Sequence, residues 1–182
     1  MRTPHQILGP FFPVTSKPAT QGDMTIVEGV DGHAQGEIIE VTGRVLDLHG
    51  EPVCGARLTI WQANTFGRYV HPSDCNPAPL DPNFVGFATI RSGNDGGYRF
   101  KTVKPGPYPV GTDWMRAPHI HLEVQGQFER LITQMYFPGE PLNASDRLLM
   151  SVPEPDLLIA KPDPSTPGHH RALKFDIILA RG

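Results

Sequence analysis

His119 and His121 stand one residue apart in the apolar run RAPHIHLEV, residues 116 to 124. A β-strand turns successive side chains to opposite faces, so the two imidazoles and Glu123 would share one side, and Ile120, Leu122 and Val124 the other. Two neutral nitrogen donors on one face suit a metal ion, but a half-exposed strand with a polar outer face gives the same pattern. Tyr69, in FGRYVHP, and Tyr108, in KPGPYPVG, are the side chains that could complete such a site. The ordinary reading of each is a buried aromatic whose hydroxyl finds one hydrogen bond. A phenol loses its proton only at about pH 10 in water, yet a bound trivalent cation reverses the local pKa order and holds it as an anion. Two phenolates and two imidazoles form a hard donor set that favours ferric iron over copper(I) or zinc. Zinc held by His119, His121 and Glu123 is the competing arrangement, an awkward one for a tetrahedral centre because the three positions are spaced by two along one strand.

The fold must gather these residues from separate segments. EIIEVTGRVLD (37–47), ARLTIWQA (56–63), VGFATI (85–90), GYRFKTV (97–103), PHIHLEV (118–124), LITQMYF (131–137) and ALKFDIILA (172–180) read as strands from their β-branched and aromatic content. HGEP, SGNDGG and KPGPYP punctuate them with turn residues. Many short strands so separated predict an all-β protein, an antiparallel β-sandwich with long loops. One or two short helices are expected, at NASDRLLM (143–150) and at EPDLLIA (154–160), the second with proline near its start. GRVLDLHGEPVCGARLTIWQAN by itself reads as one hairpin of a sandwich of the transthyretin or carboxypeptidase-regulatory kind. The stretch from 64 to 85 is a long loop with few aliphatic residues, and loops of that length in compact domains tend to carry function.

The chain has 182 residues, enough for one core, and residues 1–182 are expected to form a single domain with an N-terminal arm over 1–36. Its 20 prolines and 19 glycines are scattered between apolar segments and form no repeat, which indicates a folded, loop-rich protein. A net charge of −3 supplies no basic stripe for a phosphate backbone, so no nucleic-acid partner is expected. No apolar run reaches membrane-spanning length, and no membrane partner is expected either. The start, MRTPHQILGPFFPV, shows no leader pattern, and the expected compartment is the cytoplasm. Cys54 and Cys75 are expected to be free thiols.

Taken in order, VTGRVLDLHGEPVCGARLTIWQAN, GRY, LDPNF, GGYRFKTVKPGPYP, RAPHIHLEV, LITQMYFPGEPL and FDIIL resemble the intradiol ring-cleavage dioxygenases, most of all the subunits of protocatechuate 3,4-dioxygenase. The resemblance covers nearly the whole chain. It implies non-haem Fe(III) held by Tyr69, Tyr108, His119 and His121, with Tyr108 and His119 axial. It also implies that Arg116 lies against the substrate ring, that Gln134 belongs to the same pocket, and that Tyr108 leaves the metal and takes a proton when the diol binds. The implied reaction opens a catechol-type diol, protocatechuate or a related substituted catechol, with O2 to give a cis,cis-muconate. Taken without the resemblance, Arg116 and Gln134 are a surface arginine and a strand-end glutamine.

The sequence departs from parts of that family. Strand-like sequence begins within about forty residues, so the N-terminal helical region of the catechol and hydroxyquinol enzymes is not expected. The short ILGPFF start is closer to the metal-free subunit of the protocatechuate enzyme, yet all four ligand positions are filled. A catalytic chain is therefore expected, as a homo-oligomer or assembled with a related subunit. The alternative is a non-catalytic β-sandwich subunit paired with a catalytic one. A cupin-like ferrous site would want a carboxylate after the His-x-His pair, where Gln125 and Gly126 stand. Arg68, His71, Thr15 and Lys17 are candidates for reading a charged ring substituent.

Overall fold

The computed structural model describes residues 1–14, 18–164 and 171–182. Eleven strands are described: β1 (Ile38–Leu46), β2 (Arg57–Trp61), β3 (Phe87–Arg91), β4 (Gly97–Val103), β5 (Tyr108–Val110), β6 (Trp114–Arg116), β7 (His119–Gln125), β8 (Arg130–Tyr136), β9 (Lys161–Pro162), β10 (Arg171–Lys174) and β11 (Ile177–Ile178). One sheet runs β3-β2-β7-β8, antiparallel throughout. The other is built on β1, which pairs antiparallel with β4 and parallel with β10 and β11. Strands β5 and β6 form a separate two-stranded ribbon.

The two sheets enclose the main core. Ile39, Val41 and Val45 of β1 and Phe100 of β4 meet Leu58 and Ile60 of β2 and Ile120, Leu122 and Val124 of β7, all fully or almost fully buried. Each such aliphatic side chain stabilises the sandwich by about 1.5–3 kcal/mol relative to exposure. Because the apolar half of β7 is committed to this core, its other half must turn outward from the sandwich. No helix among the described residues is long and apolar enough to cross a membrane, and Cys54 and Cys75 are free and exposed.

Four expectations change in detail. The sheet built on β1 is mixed, since β10 and β11 run parallel to β1. The expected strand over 172–180 is split, because Asp176 Oδ1 accepts the Arg44 amide at 2.9 Å where a ladder carbonyl would stand. Both expected helices are 3-10 segments, Pro141–Ser145, Leu149–Ser151 and Pro155–Leu158. The side chain of Asp146 takes the amides of Leu148 and Leu149 at 3.0 Å each, competing with helical bonding in the manner of a short polar residue. The expected β1–β2 hairpin is absent: after one bridge between Leu46 and Pro52 the chain crosses to the other sheet. Pro52 has no N–H to continue the ladder.

The N-terminal arm is sewn onto β8, the edge of the β3-β2-β7-β8 sheet. The Gln6 amide bonds Ile132 O at 2.8 Å, Thr133 Oγ1 donates to Pro4 O at 2.9 Å, and Gln134 Nε2 to Ile7 O at 3.2 Å. An edge that would otherwise be open to pairing is thereby covered, and the arm is carried across the outer face of β7.

Candidate functional site

The outer face of β7 is buried, so the polar-surface reading of the His-x-His pair fails: His119 is 1% and His121 3% exposed. The cover comes from the arm and from the loop over 64–85. Gly9, at φ +74°, lies so near His121 that a Cβ there would sit 3.2 Å from the ring's Cε1, and Phe11 packs on Tyr69 with ring centroids 4.7 Å apart. The two imidazoles meet at Nε2–Nε2 3.2 Å. His119 Nδ1 lies 2.6 Å from Ala117 O; a carbonyl can only accept, so Nδ1 carries the proton and Nε2 keeps its lone pair. His121 stacks on Trp61 at 4.9 Å and 12°, its cross-strand partner on β2. Burial, and then the Arg116 charge for His119 and the neighbouring His119 for His121, holds both rings well below the usual imidazole pKa, so both are neutral donors.

The phenols arrive by a backbone-to-backbone fit. Asn64 Oδ1 accepts the amides of Phe66 and Arg68 at 2.9 and 3.0 Å, and Asp74 Oδ2 accepts that of Tyr69 at 2.7 Å, which fixes the loop. Gly67 and Gly106 let this loop touch the segment before β5: a Cβ on Gly106 would fall 2.4 Å from Thr65 O, and one on Gly67 2.3 Å from Pro107 O. Tyr69 and Tyr108 consequently meet edge to face with centroids 5.5 Å apart. The Tyr108 hydroxyl is 3.3 Å from His119 Nε2, and the rings of Tyr69 and His121 are 6.2 Å apart. The Tyr69 hydroxyl is buried, makes no hydrogen bond of good geometry, and has the Tyr108 hydroxyl as its polar neighbour. Burial raises both phenol pKa values, more strongly at Tyr69, where Tyr108 adds to the effect, than at Tyr108, where Arg116 opposes it.

Arg116 is also buried and fully engaged. Its Nε donates to Asp146 at 2.9 Å, and Nη2 to Gln134 Oε1 at 2.6 Å and to the Tyr136 hydroxyl at 2.9 Å; Nη1 reaches the Tyr108 oxygen at 3.4 Å. The β7–β8 register explains the company: His121 faces Gln134 and His119 faces Tyr136. All six expected site residues therefore lie in one cluster. Glu123 does not join them, because Arg130 holds it at 2.5 Å. Among the described residues no three His, Cys, Asp or Glu side chains converge as metal ligands would, and the zinc arrangement loses its third ligand.

A cavity of about 440 Å3 opens on the cluster, lined by Tyr108, Arg116 and His121 and by arm residues Ile7, Gly9 and Phe11. That volume falls within the range of pockets for small molecules. Arg68 and His71 do not line it; Arg68 braces its own loop through Ala78 O at 3.0 Å. Thr15 and Lys17 lie outside the described residues. The arm, Tyr136 and Asp146 were not expected here. Tyr136 was accessible to the period-two rule from Gln134, whereas nothing local marks Asp146, which is fully buried and also accepts the Ala117 amide at 2.9 Å.

Residues 7–181 match the dioxygenase family Dioxygenase_C. The protocatechuate 3,4-dioxygenase beta chain of Burkholderia cepacia is 46% identical over 166 residues, covering 86% of this chain and 70% of that one. The alpha chain from the same organism is 33% identical, covering 97% and 91%. Hydroxyquinol 1,2-dioxygenase of Rhizobium sp. strain MTP-10005 is 32% identical, and this chain spans 49% of its length. Among solved structures, the dioxygenase domain of a dioxygenase carbohydrate-binding protein fusion from Streptomyces sp. SirexAA-E superposes with a TM-score of 0.75 at 30% identity over 100% of both chains. With its residues matched almost from end to end and a sandwich that superposes on such a domain, the chain belongs to the intradiol ring-cleavage dioxygenase family.

Proposed function

We propose that the chain is a non-haem ferric intradiol dioxygenase that opens a catechol-type diol with O2 to a cis,cis-muconate. The observation that carries this reading is the convergence of two neutral imidazoles and two phenols, one phenol buried without a well-formed hydrogen bond. An orphaned buried hydroxyl costs about 1–3 kcal/mol, and a trivalent cation ligated by Tyr69, Tyr108, His119 and His121 would remove that cost by taking the oxygen as a phenolate. The donor set fits ferric iron, which when bound would supply a Lewis-acidic centre for both diol oxygens and for activation of the ring towards dioxygen.

The chain's own residues divide the remaining work. Tyr69 has only the other phenol as a polar neighbour and would hold the metal throughout. Tyr108 has a hydrogen-bond donor besides, since Arg116 Nη1 lies 3.4 Å from its oxygen. It is therefore the phenol that would accept a diol proton and rest against the guanidinium. Arg116, held by Asp146, Gln134 and Tyr136, keeps a fixed positive charge at the cavity wall to stabilise negative charge developing on the ring. Gln134 links Arg116 to the arm through Ile7 O, and the arm's Phe11 with Trp61 excludes water around the ligand set.

The substrate belongs to the substituted catechols, the class that includes protocatechuate. Similarity to both an alpha and a beta chain of one enzyme supports assembly with a related subunit. Iron analysis, visible absorption and oxygen uptake with catechol test the reading together. Iron near one per chain, a broad visible band that shifts on adding diol, and oxygen consumption are expected. A chain that takes up no iron, stays colourless and consumes no oxygen would instead be the non-catalytic partner subunit.

A further inference from the structure

The ribbon β5–β6 measures distance across the cavity. Its register pairs Tyr108 with Arg116, Pro109 with Met115 and Val110 with Trp114. Alternation places Tyr108, Val110, Trp114 and Arg116 on one face of the ribbon, and all four line the cavity, as does the Pro109 between them. Met115 falls on the opposite face and is 41% exposed. The two cavity-facing rungs are two residues apart, about 7 Å at the rise of a strand, a separation suited to one aromatic ring. The inner rung, Tyr108 and Arg116, is buried, while Val110 on the outer rung is 40% exposed. A diol whose oxygens lie at the inner rung directs the opposite edge of its ring at the outer one.

Among the described residues two charged side chains line this cavity, and neither faces the outer rung uncommitted. Arg116 is paired with buried Asp146 at 2.9 Å and sits on the inner rung, against the diol end of the cavity. Asp74 accepts the Tyr69 and Asn76 amides at 2.7 and 2.9 Å. Arg147 stands 5.4 Å over the Trp114 ring, but it is drawn to Asp113 at 3.2 Å and does not line the cavity. The outer rung is mainly apolar, with Pro77 and Leu148 in the same lining; its one open polar group is the Trp114 indole N–H, a neutral donor without a partner. A carboxylate on the ring would lose part of its water and meet no uncommitted cation in the described lining, where one neutral N–H does not balance its charge.

We infer that the Val110–Trp114 rung reads the ring substituent opposite the diol, and that it selects catechols carrying a small, uncharged, apolar group there over those carrying a carboxylate. The inference rests on the ring-cleavage reading above and narrows its substrate. The test compares catechol, 4-methylcatechol, 4-chlorocatechol and 3,4-dihydroxybenzoate on the iron-loaded chain, by oxygen uptake and by calorimetric binding under nitrogen. The methyl and chloro compounds should exceed catechol roughly ten-fold in kcat/KM, the usual return on one buried apolar group. The carboxylate should bind and react at least about ten-fold less well than catechol, since its charge loses part of its water and gains no cation. Val110→Arg places a cation at the outer rung and should raise the carboxylate-to-methyl ratio about ten-fold or more. If 3,4-dihydroxybenzoate matches or beats 4-methylcatechol on the unaltered chain, the inference is overturned while ring cleavage stands. A folded Val110→Arg chain with an unchanged ratio also overturns it. Catechol inert on a chain shown to hold iron overturns both readings.

Discussion

The imidazoles and the phenols reach one cluster on different kinds of support. His119 and His121 sit on β7, flanked by β2 on one side and β8 on the other, so ladder hydrogen bonds fix their spacing and direction. Tyr69 sits in a loop held by single side chains, Asn64 and Asp74, and Tyr108 begins a ribbon that pairs with neither sheet. The sheet provides rigid donors; the loop and ribbon provide donors whose position depends on a few contacts. The contrast also falls within the phenols, where Tyr108 has a neighbouring guanidinium to turn to and Tyr69 has none.

Substitutions can break or sharpen that contrast. The largest effect is expected from His121→Ala, which removes a donor from the rigid half: bound iron should fall by more than about ten-fold and activity with it, as measured by metal analysis after desalting. Tyr108→Phe should retain most of its iron yet lose about 100-fold in the rate of diol turnover, because the departing base is gone. Equal iron loss in the two variants would erase the distinction between permanent and exchangeable donors. Asp146→Asn leaves Arg116 in place but removes its counter-charge, and should lower kcat about ten-fold or more with iron content unchanged. If iron falls as well, Asp146 supports the metal site and not only Arg116.

Smaller effects probe the loop itself. Gly106→Ala sets a Cβ 2.4 Å from Thr65 O, which should cost about 1–3 kcal/mol and shift the visible band of the iron-loaded chain by displacing Tyr69. A band that does not move would mean the loop is not what places that phenol. Gly9→Ala, in a left-handed conformation against His121, should cost about 1 kcal/mol and lower the melting temperature by a few degrees. Because β7 is fixed by its ladders, iron content should change less than in Gly106→Ala.

What the sequence made legible follows the same division. Strand β7 and its outward imidazoles could be read from a period of two, because strand geometry is local and the apolar residues between the histidines had only one place to go. The pairing of Tyr69 with Tyr108 came from the family resemblance, since by itself each tyrosine was an ordinary buried aromatic. The β1–β2 hairpin was misread because turn chemistry alone cannot tell a returning strand from one that crosses to the facing sheet. The first expected helix became 3-10 turns because Asp146, a residue with no local signal, directs its carboxylate to Arg116 and to the Leu148 and Leu149 amides.

The sequence by itself determined an all-β chain, the common face of His119 and His121, and the residue types a hard metal centre needs. Only the tertiary structure decided that both faces of β7 are covered, that Gly67 and Gly106 bring two distant segments into contact, and that Arg116 is held by Asp146, Gln134 and Tyr136. Periodicity is a property of neighbours along the chain. Burial, orphaned hydroxyls and matched charges arise only once segments far apart in sequence have excluded water from one another.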